Sequence, residues 1–251
     1  MASRRPNIPG EGIIDTNDFF TGLDRPICLE HKEFDLYTRA PSEPKAAVLF
    51  VHGGPVPKEQ TPTPRKSAPF TGYGALAASA DLVGVTFNHR LHTMEHYPAS
   101  ADDISTVVDK VRRLPQVDPD RVVLWFFSGG GGLAADWLRV LPPWLRAVVW
   151  TYPVLAPPPD WPGDGPRFDC ALAVTEAPDL PKLLVRVSDE YQAFRDTQDA
   201  VVEAAQASGS ALDIIDLPNA SHGYETQGYD KAARTLTDRA MRWVAEVTKP
   251  S

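Results

Sequence analysis

The stretch Val122-Val-Leu-Trp-Phe-Phe-Ser128-Gly-Gly-Gly-Gly-Leu-Ala-Ala135 carries an apolar run, one serine, a glycine cluster and the start of an amphipathic segment. An unbroken run of valine, leucine and aromatic residues is typical of a buried β-strand. The glycines permit a tight turn with close backbone approach, and the apolar residues from Leu133 to Leu138 follow helical spacing. A serine at such a turn lies beside a helix N-terminus, where free N–H groups stabilise developing negative charge. Ser128 is therefore a candidate nucleophile, with a bystander serine in a glycine-rich connection as the alternative.

Outside this stretch, strand-like runs alternate with segments of helical spacing. The predicted strands are Glu33–Arg39, Ala46–His52, Leu82–Asn88, Leu145–Thr151, Lys182–Val187 and Leu212–Leu217, and the predicted helices are Phe70–Ala80, Ala101–Leu114, Phe194–Ser208 and Asp230–Val247. This alternation predicts an α/β fold with a mostly parallel central sheet in three layers. Glu33–Arg39 alternates apolar and polar residues, as an edge strand with one solvated face does.

The domain organisation follows from length and from the placement of proline. No internal repeat or clear boundary divides the chain, and 251 residues are compatible with one α/β domain. We therefore expect a single domain over residues 1–251, with a mostly irregular N-terminal arm at residues 1–30. Residues 152–181 are rich in proline and glycine and should form a short cap-like insertion, aided by the proline-rich connection at residues 55–69.

Charge and cysteine content exclude several classes of protein. The net charge of −8 argues against a nucleic-acid partner, which normally needs a basic surface. Cys28 and Cys170 form neither a disulfide framework nor a metal-ligand spacing, so both are expected to be small buried hydrophobes in a reducing compartment. The basic N-terminus has no apolar run after it, as a secretory signal would, and the apolar runs are too short to span a membrane. We expect a cytoplasmic protein with no membrane partner.

Polar residues and glycines follow four of the predicted strands. Ser128 follows one strand, Asp189 and Glu190 follow another, His222 follows a third, and His52-Gly53-Gly54 ends a fourth. Because the carboxyl ends of parallel strands share one edge of a sheet, these groups are expected to lie close together. A histidine there takes the serine proton while a carboxylate fixes its tautomer and stabilises the imidazolium. Backbone N–H groups beside glycines can bind the oxyanion.

Further stretches accompany this arrangement. They are Asn88-His-Arg-Leu, Tyr97-Pro-Ala-Ser with Asp102-Asp103, Asp118-Pro-Asp-Arg121, Leu183-Leu-Val-Arg and Ala220-Ser-His-Gly-Tyr224. Together with His52-Gly-Gly-Pro and Phe127-Ser-Gly-Gly-Gly131, they make the chain, from roughly Phe34 to Val247, resemble the α/β-hydrolase superfamily. Within it, the chain is most similar to the dienelactone-hydrolase-like and hormone-sensitive-lipase-like serine esterases.

This resemblance implies a three-layer α/β-hydrolase fold with a minimal cap and particular site residues. The implied catalytic triad is Ser128, His222 and Asp189, and the implied oxyanion hole is formed near Gly53, Gly54 and Gly129. No cofactor and no metal are expected.

Two departures from the family pattern leave alternatives open. The usual elbow is Gly-x-Ser-x-Gly, but Phe126 stands two residues before Ser128. Either the glycines that follow the serine supply the missing room, or the turn widens and displaces Ser128. In addition, no glycine precedes Asp189, so Glu190 is an alternative acid.

The expected function is hydrolysis of a small-molecule carboxylic ester, lactone or thioester through an acyl-enzyme. Trp161, Phe168 and Phe127 are candidates to line an apolar substrate pocket. One alternative is a non-hydrolytic biosynthetic enzyme that performs a cyclisation, lyase or acyl-transfer step with His222 as acid or base. Another is a non-catalytic ligand-binding member. The oligomeric state stays open.

A few remaining polar residues have competing interpretations. His89, His92 and His96 are close in sequence, but their loop position and lack of a carboxylate or cysteine partner argue against a metal site. The connection after His52 also carries three cations, which are either solvated or steer an anionic substrate, namely Lys58, Arg65 and Lys66.

Overall fold

A computed structural model describes residues 26–158, 161, 165–227 and 231–250 of the chain. Its strands are β1 Ile27–Glu30, β2 Phe34–Thr38, β3 Lys45–Val51, β4 Val83–Phe87, β5 Val117–Phe127, β6 Leu145–Thr151, β7 Lys182–Asp189 and β8 Asp213–Ser221. Its helices are α1 Ala68–Ser79, α2 Tyr97–Val111, α3 Ala135–Val140, α4 Cys170–Ala173, α5 Gln192–Ser208, α6 Tyr224–Gln227 and α7 Lys231–Val247. None of these helices is long and apolar enough to cross a bilayer.

The described strands form one mostly parallel sheet in the order β1-β2-β4-β3-β5-β6-β7-β8. Strand β2 runs antiparallel to both of its neighbours, and β3 to β8 pair in parallel. The predicted fold class is confirmed. Because β3, β5, β7 and β8 are parallel, their carboxyl ends lie at one edge of the sheet, which is where the predicted site residues follow them.

Strand β5 lies near the middle of the sheet and is buried on both faces. Its side chains alternate between two apolar clusters, with Leu124 and Phe126 on one face and Trp125 and Phe127 on the other. The first cluster includes residues of α2, α3 and α5, and the second includes residues of α1 and α7. Burial on both faces explains why this strand is a continuous apolar run rather than an alternating one.

The prediction that residues 33–39 form an edge strand is wrong. β1 pairs along the outer side of β2, and every residue of β2 is buried. The polar residue Asp35 is 0% exposed, and its ion pair with Arg65 offsets the cost of burying the carboxylate. Residues 27–30 of the expected irregular arm therefore form the edge strand, and Cys28 on it is exposed rather than buried. Residues 1–25 lie outside the described part of the chain.

The proline-rich segment at residues 152–181 contributes to the core. Its described part contains a 3-10 turn at Gly165–Phe168, helix α4 and a second 3-10 turn at Val174–Glu176. Phe168, Cys170 and Ala173 are buried in the cluster on the α2 and α3 side of the sheet. Residues 159, 160 and 162–164 lie outside the described residues.

Candidate active site

Ser128 lies at a sharp turn directly after β5. Its φ of 48° is in the left-handed region, which costs about 1 kcal/mol or more for a residue other than glycine. A 3-10 helix spans Ser128–Ala134 and precedes α3, so the predicted helix begins with a tightly wound segment. Such a strained turn presents the serine Oγ above the carboxyl edge of the sheet.

The four glycines after Ser128 let other segments approach the turn closely. A Cβ atom at Gly129 would lie 2.0 Å from the carbonyl oxygen of Gly54, and one at Gly130 would lie 2.5 Å from the carbonyl oxygen of His52. The Phe126 side chain is fully buried in the apolar cluster on the α2 and α3 side. The space that a small residue at position 126 would leave is therefore supplied by the glycines after the serine, and Ser128 is not displaced.

Ser128, His222 and Glu190 form a continuous hydrogen-bonded chain. The Ser128 Oγ lies 2.7 Å from the His222 Nε2. The His222 Nδ1 lies 2.9 Å and 3.2 Å from the two carboxylate oxygens of Glu190. The Glu190 side chain is 0% exposed, and the Tyr191 N–H donates to it over 2.9 Å. The carboxylate therefore faces the imidazole nitrogen that a Ser–His–acid system requires.

The structure places Glu190, the alternative acid, where Asp189 was expected. Asp189 pairs with Ser221 at the end of the β7–β8 ladder, is exposed, and accepts a hydrogen bond from the Ser221 Oγ at 2.8 Å. Successive side chains of an extended chain point to opposite sides. Glu190 and His222 each follow one of these paired residues, so both turn to the side opposite the Asp189–Ser221 contact.

The predicted oxyanion-hole glycines surround the Ser128 turn. A Cβ atom at Gly53 would lie 2.8 Å from the Ser128 Cβ and 3.3 Å from its Oγ, so the Gly53 main chain borders the serine hydroxyl. Within the described chain, the N–H groups of Gly53 and Gly54 donate to no protein acceptor. The Tyr97 hydroxyl donates to the carbonyl oxygen of Gly129 and holds that peptide group in place. Backbone N–H groups that lie beside the serine without a protein acceptor can donate hydrogen bonds to an oxyanion.

A buried pair of neutral histidines supports the turn that contains Gly53. The rings of His52 and His89 stack with centroids 3.7 Å apart. The His89 backbone N–H donates to the His52 Nε2 over 3.2 Å, so the proton of His52 is on Nδ1, which donates to the Gly53 carbonyl over 2.6 Å. Burial lowers the pKa of His52 well below its usual value and lowers the pKa of His89 to about 4. Both rings are therefore uncharged at neutral pH.

Because His52 and His89 are buried in the uncharged form, we expect the folded protein to lose stability in mild acid. The pKa of His89 is lower in the folded protein than the usual 6.5, so the unfolded chain binds more protons between these values. The free energy of unfolding should fall as the pH drops below about 6.5, with the His89 contribution levelling off below about pH 4 at up to about 3 kcal/mol. Urea unfolding across this pH range measures the effect.

The control for this prediction is a comparison of variants. His89→Gln should show a flatter pH dependence, and its difference from the wild type isolates His89 from other titrating groups. His96→Gln removes a half-exposed histidine of the same loop and serves as the comparison for the effect of a His→Gln change outside the buried pair. Equal slopes for wild type and His89→Gln would contradict the prediction.

A cavity of about 410 Å³ opens beside Ser128. Its described lining comes from the Gly53–Gly54 turn, the proline-rich connection, Ser128, Tyr152 and the His222 turn, including Pro55, Val56, Gln60, Pro64, Ser67, Pro69, Phe70, Gly223, Glu225 and Thr226. The connection at residues 55–69, expected to aid the cap, thus forms much of the wall.

The three predicted pocket residues are absent from this described lining. Trp161 and Phe168 pack on the ring of Tyr97 with centroids 4.9 Å and 5.2 Å away, on the α2 side of the sheet. Phe127 packs against Phe70 and Tyr73 in the core on the opposite face. These three aromatic residues therefore pack in the core. Sequence spacing alone does not distinguish an aromatic core residue from one that lines a pocket.

Two of the three cations of the connection, Arg65 and Lys66, anchor it to the sheet. The Arg65 guanidinium donates to both Asp35 oxygens over 2.9 Å and 2.6 Å and to the carbonyl oxygens of His31, Lys32 and Phe34. Lys66 also pairs with Asp35, over 3.0 Å. These two side chains therefore hold the cavity wall in place and do not face an anionic substrate.

The loop histidines contact protein atoms. The His92 Nδ1 lies 2.9 Å from the Val56 carbonyl oxygen, and the His96 Nδ1 lies 2.9 Å from the Thr93 hydroxyl. Among the described residues, no group of three or more histidine, cysteine or acidic side chains has a metal-binding arrangement.

Sequence reasoning missed a buried polar cluster beside His222. The Tyr152 ring lies 4.8 Å from the His222 ring, and its hydroxyl donates to Glu225 over 2.6 Å. The Tyr73 hydroxyl donates to the other oxygen of Glu225 over 2.7 Å. Burial raises the pKa of the Glu225 carboxyl. Tyr152 follows a parallel strand and Glu225 lies three residues after His222, so their positions carried a signal that was not used.

No protein-family model and no curated protein matches this chain. Among solved structures, the propionate-bound esterase Est2 of the planctomycete Thermogutta terrifontis has a TM-score of 0.69 at 18% identity, covering 90% of this chain and 96% of that one. EstE1, a thermophilic carboxylesterase from a metagenomic library, has a TM-score of 0.67 at 16% identity, covering 94% of this chain and 93% of that one. The chain therefore has the α/β-hydrolase fold, over nearly the full length of these esterases.

Proposed function

We propose that this protein is a serine hydrolase that cleaves a carboxylic ester, lactone or thioester through an acyl-enzyme. The contact between the Ser128 Oγ and the His222 Nε2, at 2.7 Å, carries the proposal. It joins a strained serine to an imidazole whose other nitrogen faces the buried carboxylate of Glu190. Solved neighbours of the same fold are esterases, and one of them is bound to propionate, a short carboxylic acid.

The geometry supports a two-stage reaction. His222 takes the hydroxyl proton of Ser128 as Oγ bonds to the substrate carbonyl carbon, and Glu190 stabilises the imidazolium. The carbonyl oxygen becomes an oxyanion that accepts hydrogen bonds from N–H groups at Gly53, Gly54 and Gly129. The bond to the leaving group then breaks, and His222 donates its proton to that group. Water attacks the acyl-enzyme with His222 as base, which releases the acid and restores Ser128.

Two features of the site argue against the alternative functions. A turn widened by Phe126 would favour non-hydrolytic chemistry, yet the Ser128 Oγ lies within hydrogen-bond distance of the His222 Nε2. A binding protein without activity has no need of a strained serine linked to a buried histidine–carboxylate pair. The size of the cavity, about 410 Å³, suits a small-molecule substrate. The cytoplasmic location expected from the sequence is part of this proposal.

Labelling and product analysis test the proposal. A fluorophosphonate should modify the wild type at Ser128, located by peptide mass spectrometry, and para-nitrophenyl butyrate should give a burst or steady release of nitrophenol. In heavy-oxygen water, hydrolysis places one solvent oxygen in the released acid, whereas cyclisation or transfer to another acceptor places none there. No label at Ser128, together with no solvent oxygen in the product, would contradict the proposal.

A further inference from the structure

Tyr152 has a backbone conformation that a bulky residue rarely adopts. Its φ is 36°, in the left-handed region, where non-glycine residues are strained and tend to mark functional sites. The residue directly follows β6, and its N–H donates to the Val185 carbonyl over 2.8 Å. This main-chain bond holds the strained residue at the same sheet edge as Ser128 and His222.

The strained backbone places the Tyr152 ring against the catalytic imidazole. The ring centroids of Tyr152 and His222 are 4.8 Å apart with an interplanar angle of 57°. The Tyr152 hydroxyl reaches past this contact to Glu225, over 2.6 Å. Because Glu225 lies three residues after His222, this bond ties the end of β6 to the turn that carries His222.

Glu225 is itself fixed from a second side. It is 5% exposed, and its other oxygen accepts from the Tyr73 hydroxyl of α1 over 2.7 Å. The Tyr73 hydroxyl lies 3.2 Å from that of Tyr224, which lies 3.1 Å from the Thr237 hydroxyl. Rotation of these hydroxyls lets the carboxyl be satisfied with or without a proton, so Tyr152 keeps its acceptor in both states.

Burial of the Glu225 carboxyl without a counter-charge is energetically unfavourable. The described wall of the cavity contains no lysine or arginine. An apolar side chain would pack at position 225 with less penalty but could not hold the Tyr152 hydroxyl. A buried carboxyl at position 225 is therefore expected where holding the Tyr152 ring, and through it the His222 imidazole, in a fixed orientation outweighs this cost.

We propose that Tyr152 and Glu225 are positioning residues that hold the His222 imidazole in line with the Ser128 Oγ. This inference rests on the proposed hydrolase function. The Tyr152 ring supports one face of the imidazole, and the bond from its hydroxyl to Glu225 prevents the ring and the His222 turn from shifting apart.

The two tyrosines on Glu225 provide a matched comparison. Tyr152→Phe and Tyr73→Phe each remove one hydroxyl bonded to the same carboxyl over similar distances, 2.6 Å and 2.7 Å. Of these two tyrosines, Tyr152 is the one whose ring packs on His222, together with the rings of Tyr191 and Phe194. Both variants should lower Tm by similar amounts. Tyr152→Phe should lower kcat for para-nitrophenyl butyrate by about 10- to 100-fold at unchanged KM, as expected for a misplaced catalytic group. Tyr73→Phe should keep kcat within about threefold of the wild type.

Two substitutions of Glu225 test whether Tyr152 needs a hydrogen-bond acceptor at this position or a negative charge. Glu225→Gln can still accept from the Tyr152 hydroxyl and donate to the Tyr73 oxygen, so it should keep most of kcat. Glu225→Leu removes the acceptor and should lose as much as Tyr152→Phe. Equal kcat losses in the two tyrosine variants, or a Gln variant as impaired as the Leu variant, would overturn the proposal.

A second readout does not depend on turnover. In protein with isotope-labelled histidine, the NMR signals of the His222 ring, assigned with His222→Gln, should shift or broaden in Tyr152→Phe and stay unchanged in Tyr73→Phe. Unchanged His222 signals in Tyr152→Phe would overturn the positioning role. A wild type that neither hydrolyses esters nor reacts with a fluorophosphonate would instead refute the hydrolase function, so the two failures are distinguishable.

Discussion

Ser128→Ala should lower kcat/KM for para-nitrophenyl butyrate by at least about 10⁴-fold, because the proposed acyl-enzyme forms on the Ser128 Oγ. The Ser128 Oγ is the atom in contact with the His222 Nε2, and replacing it with hydrogen removes the nucleophile. Alanine tolerates the φ of 48° no better than serine does, so the substitution does not relieve the backbone strain at this turn. Steady-state kinetics with the purified variant measure the loss.

Ser221→Ala is the matched control for this substitution. Ser221 precedes His222 in the sequence, but its Oγ donates to Asp189 over 2.8 Å. Its removal should change kcat/KM by no more than about threefold. Full activity in Ser128→Ala would refute the acyl-enzyme mechanism, and similar losses in both variants would indicate damage to the His222 turn.

Glu190→Gln should lower kcat by about 10³- to 10⁴-fold with little change in folding, as expected when the acid of such a system becomes an amide. The Glu190 carboxylate lies 2.9 Å from the His222 Nδ1 and is 0% exposed. An amide in its place can present an N–H to Nδ1, which favours the tautomer that cannot accept the serine proton. It also removes the negative charge that stabilises the imidazolium.

Asp189→Asn tests the assignment of the acid against its sequence neighbour. Asp189 is exposed and accepts from Ser221 rather than from His222, so this variant should keep kcat within about threefold of the wild type. Measuring kcat of Asp189→Asn and Glu190→Gln on the same ester shows directly which carboxylate contributes more to catalysis. A larger loss in Asp189→Asn than in Glu190→Gln would return the role of the acid to Asp189.

The core elements were accessible from the sequence because each one depends on local pattern. Leu145–Thr151 was predicted with the bounds that β6 has, and the predicted terminal helix ends at Val247, as α7 does. A strand buried on both faces must be apolar throughout, and an amphipathic helix must repeat its apolar residues with helical spacing. The same reasoning failed for Glu33–Arg39, because an outer strand of only four residues, β1, covers β2.

The position of the serine at its turn was also determined by the sequence. A strand, one serine and four glycines leave few alternatives for the backbone, because only glycines permit the approach of the His52 and Gly54 carbonyl oxygens. The position of Ser128, the acidic pair and His222 after three parallel strands placed all of them at one sheet edge.

Only the tertiary structure decided which side chains meet at that edge. The choice of Glu190 over Asp189 depends on which side of β7 faces His222, and a shift of one residue reverses it. The cavity wall formed by residues 55–69 depends on the Arg65–Asp35 ion pair, which joins residues far apart in the chain. The contact of Tyr152 with Glu225 likewise spans 73 residues. Sequence pattern therefore determined the elements and the sheet edge, because both follow from local periodicity, whereas the contacts across that edge required the packed fold, because strand pairing and side-chain direction set them.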